Sequence, residues 1–512
     1  MKKTKLDPIT LEIQWKRLVS MVDEASAAFV RTSFSVLVRE ANDFAVVLTD
    51  SQGRSIAQSV LSIPSFIGTL PATVKHFLDK FPVKTLKPGD VMITNDPWMG
   101  TGHIHDVNVA MPIFHKGKII AFAAVVSHMP DIGGRIRNAG IRDIYEEGLQ
   151  IPRLKLIEGG KPVQALFDMI GQNVRVPEQT LGDIWAQVAA CKMLEERLQP
   201  LLQDTDLDAL GAEIRRRSEV AMRKAIRAVP DGVYHAQTQH DGFEEPILIN
   251  CTVTVKGEKL AIDYTGSSQQ VPRAVNVVPI YTFAYSAFAV KALLCPDVPN
   301  NEGSFMPIST SAPLGSIFNP RYPAASGGRG MIGHMMVPAI MMALADVLPE
   351  RAIAEGSSNS SITVTGEHRG RPYAAVNFMN AGQGATKHRN GFTMLSFPSN
   401  LSNTPIEIFE QMAPVRVIER AIRRGSGGAG KHRGGDGLHF EIEMVADTPM
   451  MASMIMTRFR TAPQGIFGGE PAKVGALRLN GKNINPAEHW VLKKGDRVVM
   501  ETAGGGGYGK PA

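Results

Sequence analysis

Apolar side chains recur at helical spacing through Leu11, Trp15, Leu18, Val19 and Val22 to about Val30, the stripe of an amphipathic helix. Asp7-Pro8 ahead of it offers a cap and a proline at the first helical position. The period then changes. FAVVLTD (44–50) reads as a strand, closed by a turn at Ser51-Gln52-Gly53. Residues from about 88 to 134 read as a β unit, with VNVAMPIF (107–114) and IIAFAAVV (119–126) as its clearest runs. Between those runs lies His115-Lys116-Gly117-Lys118, a tight hairpin turn with glycine where positive φ is easiest. Helical spacing returns from Pro177 to Val229 and predicts a long helical hairpin. Beyond Pro230 come strand-like GVYHAQTQ, ILINCTVTV and KLAIDYTG, then helices around TFAYSAFAVKALL and the Met-rich MIGHMMVPAIMMALADVL. From about 360 the pattern is mostly β with glycine-rich turns, ending in GGGGYG. No internal repeat is visible.

A chain of 512 residues is too long for one core, so several domains are expected. The reading is α+β and multi-domain: an N-terminal α/β region with the helical hairpin (1–230), an α+β region (231–360), and a β-rich, glycine-containing region (361–512). A net charge of +6 is small over this length, and no basic run or base-stacking motif accompanies it, which argues against nucleic-acid binding. Cys191, Cys251 and Cys295 are dispersed and odd in number, so neither a disulfide framework nor a thiolate zinc site is expected. Charged residues interrupt the apolar ones near the N-terminus, and no uncharged apolar run approaches the roughly 20 residues that span a bilayer. The expectation is a cytoplasmic protein without a membrane segment.

The chemistry concentrates in a duplicated His-x-x-Asp. His103-Ile104-His105-Asp106 precedes one hairpin strand, and His128-Met129-Pro130-Asp131 follows the other. Folding about Lys116-Gly117 brings the two open ends together, with His105 roughly opposite His128 and His103 opposite Pro130. Facing residues have Cβ atoms about 5 Å apart. A single such motif is ordinarily loop chemistry. Two at opposed hairpin ends, beside Gly100, Gly102, Gly133 and Gly134, point to a shared pocket. Imidazole with carboxylate suits Zn²⁺, Mn²⁺ or Fe²⁺ better than calcium or magnesium. Asp43, just ahead of FAVVL, reads from its position as a cap or surface carboxylate. Asp96 in Asn-Asp-Pro-Trp reads as turn chemistry. Gly425-Ser-Gly-Gly-Ala-Gly-Lys431-His432 nearly fits a phosphate loop, but His432 replaces the Mg²⁺-binding hydroxyl, and Arg-Gly-Gly-Asp-Gly will not start the helix that such a loop needs. His388, His432 and His439 read as isolated surface or core histidines, and no G-x-S-x-G elbow is present.

REANDF (39–44), IPSFIGTLP, TNDPWMGTGHIHDV, SHMPDIGG, IYEEGLQIP, NVRVPEQTLGD, SGGAGKHRGGDG and the terminal GGGGYG together resemble the hydantoinase B/oxoprolinase family. That family includes N-methylhydantoinase B-type subunits, the carboxyl-terminal half of 5-oxoprolinase, and large subunits of acetone- and acetophenone-type carboxylases. The resemblance implies one divalent transition metal (Zn, Mn or Fe) on Asp43, His103, Asp106 and His128, with Asp131 close by. It also implies a partner: a hydantoinase A-type ATPase subunit that holds ATP-Mg and phosphorylates a carbonyl oxygen, giving a hetero-oligomer. The implied activity is ATP-dependent hydrolysis of a cyclic amide, with His105 or Asp131 moving the proton. The alternatives are a subunit of an acetone/acetophenone-type carboxylase and a non-catalytic scaffold. Two departures stand out. The family often has His-Leu-Pro-Asp where this chain has His103-Ile-His-Asp106, and His-His-x-Asp where it has His128-Met-Pro-Asp131.

Overall fold

The computed structural model describes residues 7–512, so the sequence reading of residues 1–6 lies outside it. Helix and strand mix throughout, in four sheets. The first helix is Pro8–Thr32, capped by the Asp7 carboxylate, which accepts from the Thr10 amide at 3.0 Å. The helical hairpin consists of Pro177–Leu198 and Leu207–Arg227. Among the described residues no helix is long and apolar enough to cross a membrane.

The N-terminal sheet carries the site. Its strands are β1 (Phe44–Asp50), β2 (Ser55–Gln58), β3 (Val91–Thr94), β4 (Asp106–His115), β5 (Lys118–His128), β6 (Leu154–Glu158) and β7 (Lys161–Pro162). They are ordered β2-β1-β5-β4-β3-β6-β7, and every pairing is antiparallel. Antiparallel sheets commonly wet one face, but this one buries both. Phe44, Val46, Leu48, Val107, Val109, Ala123 and Val125 face a core shared with Pro8–Thr32 and the helical hairpin. The alternate positions Ala45, Val47, Ala110, Phe122, Ala124 and Val126 face Leu70, Val74 and Phe77 of helix Thr69–Lys80, together with Val376 and Phe378. Burial on both faces explains why these strands read as continuous apolar runs. It also pins the register, since a slip of one residue would exchange the two faces.

The hairpin forms as expected, with one correction. A bulge between Ile113 and Phe114 shifts the pairing, so that Ile113 faces Ala121 and Phe114 faces Ile119. One extra residue on β5 advances everything beyond it. His128 therefore faces Asp106 rather than His105, and the His105 carbonyl accepts from the Met129 amide at 2.8 Å.

A second core packs strands Gly232–His240, Ile247–Lys256 and Lys259–Asp263 against helices Pro279–Leu294 and Met336–Ala343. The Met-rich segment is that last buried helix, with Pro338 in its first turn, where a missing amide hydrogen costs least. A third core lies between a four-stranded and a five-stranded sheet built from residues 360–501. Cys191 and Cys251 are buried, and Cys295 is only half-buried.

The phosphate-loop look-alike is packing material. No helix follows it; residues 426–436 run as irregular chain against the terminal glycines. Gly428 donates its amide to the Gly505 carbonyl, and Gly505 donates to that of Gly435, each at 2.9 Å. A Cβ at Gly505 would lie 2.0 Å from the Gln383 carbonyl oxygen, so backbone lies on backbone with no room for a side chain. Gly505→Ala is expected to cost more than about 3 kcal/mol. Gly481→Ala, at a turn with φ +78° but open space around it, should cost only about 1 kcal/mol. Chemical denaturation of the two variants beside the wild type checks this; equal losses would mean the glycine layer is not close-packed.

Candidate functional site

The site grows out of the open end of the β4–β5 hairpin. Asp106 begins β4, His128 ends β5, and Asp43 immediately precedes β1. Phe44 pairs with Ser127, and His128 donates its amide to the Asp43 carbonyl at 3.1 Å. Asp43, His128 and Asp106 thus occupy neighbouring positions across three strands. By the alternation of side chains, all three point to the sheet face that packs on Thr69–Lys80. His103 joins them from the preceding loop. Asn95 braces that loop: its amide nitrogen donates to the carbonyls of Ile104 (2.7 Å) and Leu149 (2.9 Å), and its oxygen accepts from the Ile151 amide (2.6 Å). Asp96 makes the expected turn, accepting from the Trp98 and Met99 amides.

His103 Nε2 lies 2.7 Å from Asp106 Oδ1 and 3.2 Å from His128 Nδ1, and His128 Nδ1 lies 3.3 Å from Asp106 Oδ1. Asp43 Oδ2 is 4.0 Å from His128 Nδ1. All four side chains are almost fully buried. The protonation pattern follows from the neighbours. His103 Nδ1 meets the Gly327 carbonyl at 3.1 Å and must carry the hydrogen. Burial, reinforced by Arg329, pushes the His103 pKa down to about 3, so Nε2 keeps its lone pair. Asp106 Oδ2 accepts from Arg329 (2.7 Å) and Thr101 (3.0 Å), leaving Oδ1 turned to the histidines. Burial alone would raise the Asp106 pKa, but His103 and Arg329 hold it well below the usual carboxylate range. A neutral imidazole and a carboxylate thus aim lone pairs at one another, which a shared cation would resolve. Ligand atoms about 2.1 Å from one ion lie roughly 3.0–3.4 Å apart in octahedral or tetrahedral arrangement. His128 Nδ1 fits that spacing with both neighbours, and His103 Nε2 and Asp106 Oδ1, at 2.7 Å, would part by a few tenths of an ångström; the three could hold a metal ion, with Asp43 at the edge. A ligating histidine that donates its other nitrogen to a backbone carbonyl is the usual support for such an ion.

The remaining predicted residues lie alongside. The His105 ring stacks on His128 with centroids 5.4 Å apart, and its Nδ1 is buried with no partner among the described residues. Burial drives its pKa well below the normal value, so it is neutral. Asp131 lines the same narrow cleft as His105 and His128. Both of its oxygens are taken by Arg175: the backbone amide at 2.5 Å and Nη1 at 2.6 Å. His388, His432 and His439 lie outside the metal-competent group.

Three residues that sequence reasoning passed over complete the site. Arg329 reaches Asp106 from a glycine-rich loop more than 200 positions away. Gly102, at φ +105°, makes room for it, since a Cβ there would sit 2.7 Å from Arg329 Nε. Arg137 donates Nε to the Gly327 carbonyl at 2.9 Å. Glu147, on the short helix Ile144–Glu147, accepts the amides of Ser326 (2.7 Å) and Gly327 (2.5 Å). Burial raises the Glu147 pKa to about 7 and that of Asp43 to about 6.

These shifts predict acid sensitivity. His103, His105, His240 and His334 are neutral in the fold but titrate normally, near 6.5, once unfolded. Their stability contribution is full above about pH 6.5 and falls as protons bind the unfolded chain. Asp43 and Glu147 act oppositely, because their raised pKa values let the folded chain bind protons first. The histidines outnumber them four to two, so metal-free protein should lose roughly 3 kcal/mol per pH unit between about pH 6 and 5. Urea titrations in chelator measure this; a flat profile would mean the histidines are charged in the fold.

A model of the family described as hydantoinase B/oxoprolinase matches residues 7–511. The chain is 29% identical over 540 residues to a putative D-/L-hydantoinase, the B-type subunit, of Pseudomonas sp. (strain NS671), covering 99% of this chain and 90% of that one. It is 30% identical over 528 residues to 5-oxoprolinase of Dictyostelium discoideum, covering 99% of this chain but 41% of that longer protein. The structure matches ATP-dependent caprolactamase from Pseudomonas jessenii with a TM-score of 0.90 and 27% identity, over 99% of this chain and 92% of that one. Acetone carboxylase, solved without nucleotide, shares the fold with a TM-score of 0.88 at 18% identity, over 98% of this chain and 76% of that one. With the match running from residue 7 to residue 511, this chain belongs to the hydantoinase B/oxoprolinase family.

Proposed function

We propose that this chain is the metal-dependent subunit of an ATP-dependent cyclic-amide hydrolase, acting on a substrate that a hydantoinase A-type ATPase subunit phosphorylates on its carbonyl oxygen. The observation that carries the reading is the convergence of candidate ligand atoms from His103, Asp106 and His128 in the buried interior of a protein so similar to caprolactamase. Functionally, region 1–230 holds the metal residues. Regions 231–360 and 361–512 close over them through Arg329 and through Thr363 and Thr365.

A divalent ion on Asp43, His103, Asp106 and His128 would supply Lewis acidity and lower the pKa of water toward neutrality. The protein's own groups do the rest. Gly327 fixes the His103 tautomer, and Arg329 and Thr101 hold Asp106 so that one oxygen faces inward. As water bonds to the activated ring carbon, His105, whose buried Nδ1 has no partner among the described residues, takes its proton. The ring C–N bond breaks, the nitrogen leaves as an amine carrying a proton, and an acyl phosphate remains. A second water converts that to carboxylate and phosphate. Asp131, the other candidate for this role, has both oxygens accepting from Arg175, which supports assigning the proton to His105.

Co-purified with its ATPase partner, the chain is expected to open a hydantoin, 5-oxoproline or a lactam with ATP and without bicarbonate. His103→Ala should abolish ring opening, and His105→Asn should slow it about 100-fold or more, with the complex intact. A strict bicarbonate requirement would assign the complex to the carboxylases. Full activity in His103→Ala would make the chain a scaffold.

A further inference from the structure

The cleft beside the histidines is lined by His105, His128, Asp131, Arg137, Thr363 and Thr365. Two features mark it for an anion. The first is an uncommitted donor. Arg137 spends Nε on the Gly327 carbonyl, while its Nη1 is buried with no partner among the described residues. A guanidinium nitrogen left this way is costly unless something fills the place. Thr363 and Thr365 alternate on one strand, so both hydroxyls face the same side, and both line this cleft.

The second feature is charge. Arg137 and Arg329 balance Asp43 and Asp106, and Asp131 is balanced by Arg175. A divalent ion on the cluster would add two positive charges, of which an ionised Glu147 would offset only one. Buried excess charge of one sign demands a counter-ion. A phosphoryl group has the right sign, and its several oxygens suit a guanidinium plus two hydroxyls.

We infer that this cleft is a phosphoryl-binding subsite, in which Arg137, with Thr363 and Thr365, holds the phosphate of the activated substrate next to the metal residues. This rests on the reading that the substrate arrives phosphorylated, and it names the group the site recognises. Arg137 binds the anion and takes no part in proton transfer.

The test is calorimetric titration of inorganic phosphate into the full chain, as purified and after chelation, for wild type, Arg137→Gln, Arg137→Lys and Thr363→Val/Thr365→Val. Wild type should bind phosphate, Arg137→Gln at least 10-fold more weakly, and Arg137→Lys in between. The threonine pair provides a second probe if Arg137→Gln does not fold. Unchanged binding in the variants, or no binding by wild type in either form, overturns the subsite. Bicarbonate binding in phosphate's place, with the same dependence on Arg137, would also overturn it. Neither ATP nor the partner is involved, so phosphate binding without any ring opening would leave the subsite standing while the hydrolase reading fell.

Discussion

Three potential ligand atoms, His103 Nε2, Asp106 Oδ1 and His128 Nδ1, face one another across 2.7–3.3 Å in the interior of this protein. His103 cannot supply a hydrogen from Nε2, because its hydrogen is spent on the Gly327 carbonyl at Nδ1. Protonating the ring is opposed by burial and by Arg329. A cation would satisfy this arrangement, and the surrounding residues hold these atoms in place.

The fold meets that constraint by convergence rather than by one motif. A double-sided antiparallel sheet leaves its strands no freedom of register, and so Asp43, His128 and Asp106 stand side by side. A loop braced by Asn95 adds His103. Gly327 then links the N-terminal sheet to the rest of the chain: its carbonyl receives His103 and Arg137, and its amide donates to Glu147. The site is thus held in place from several directions, as electrostatic preorganisation requires.

The paired histidine motifs, the hairpin and its turn were legible because a period of two and a Lys-Gly turn are local signals. The register was legible only to within one residue, since the bulge at Ile113–Phe114 depends on how the strands pack. Asp43 was visible through family resemblance; its strand position alone suggested a cap. Arg329, Arg137 and Glu147 were missed because their roles depend on contacts distant in sequence. The Glu-Glu of IYEEGLQIP and the glycines around Arg329 were the available hints. The glycine-rich segments near 430 and 505 carried a strong local signal whose meaning, backbone packed on backbone, emerges only when the two are brought together.

The most direct measurement is the metal content of the purified chain by elemental mass spectrometry, with His103→Ala/His128→Ala alongside and circular dichroism to confirm folding. About one transition metal per chain is expected in the wild type, with loss of that metal in the folded double variant. A wild-type chain that stays empty after reconstitution with Zn²⁺, Mn²⁺ and Fe²⁺, or a double variant that keeps its metal, would contradict a metal centre on these residues.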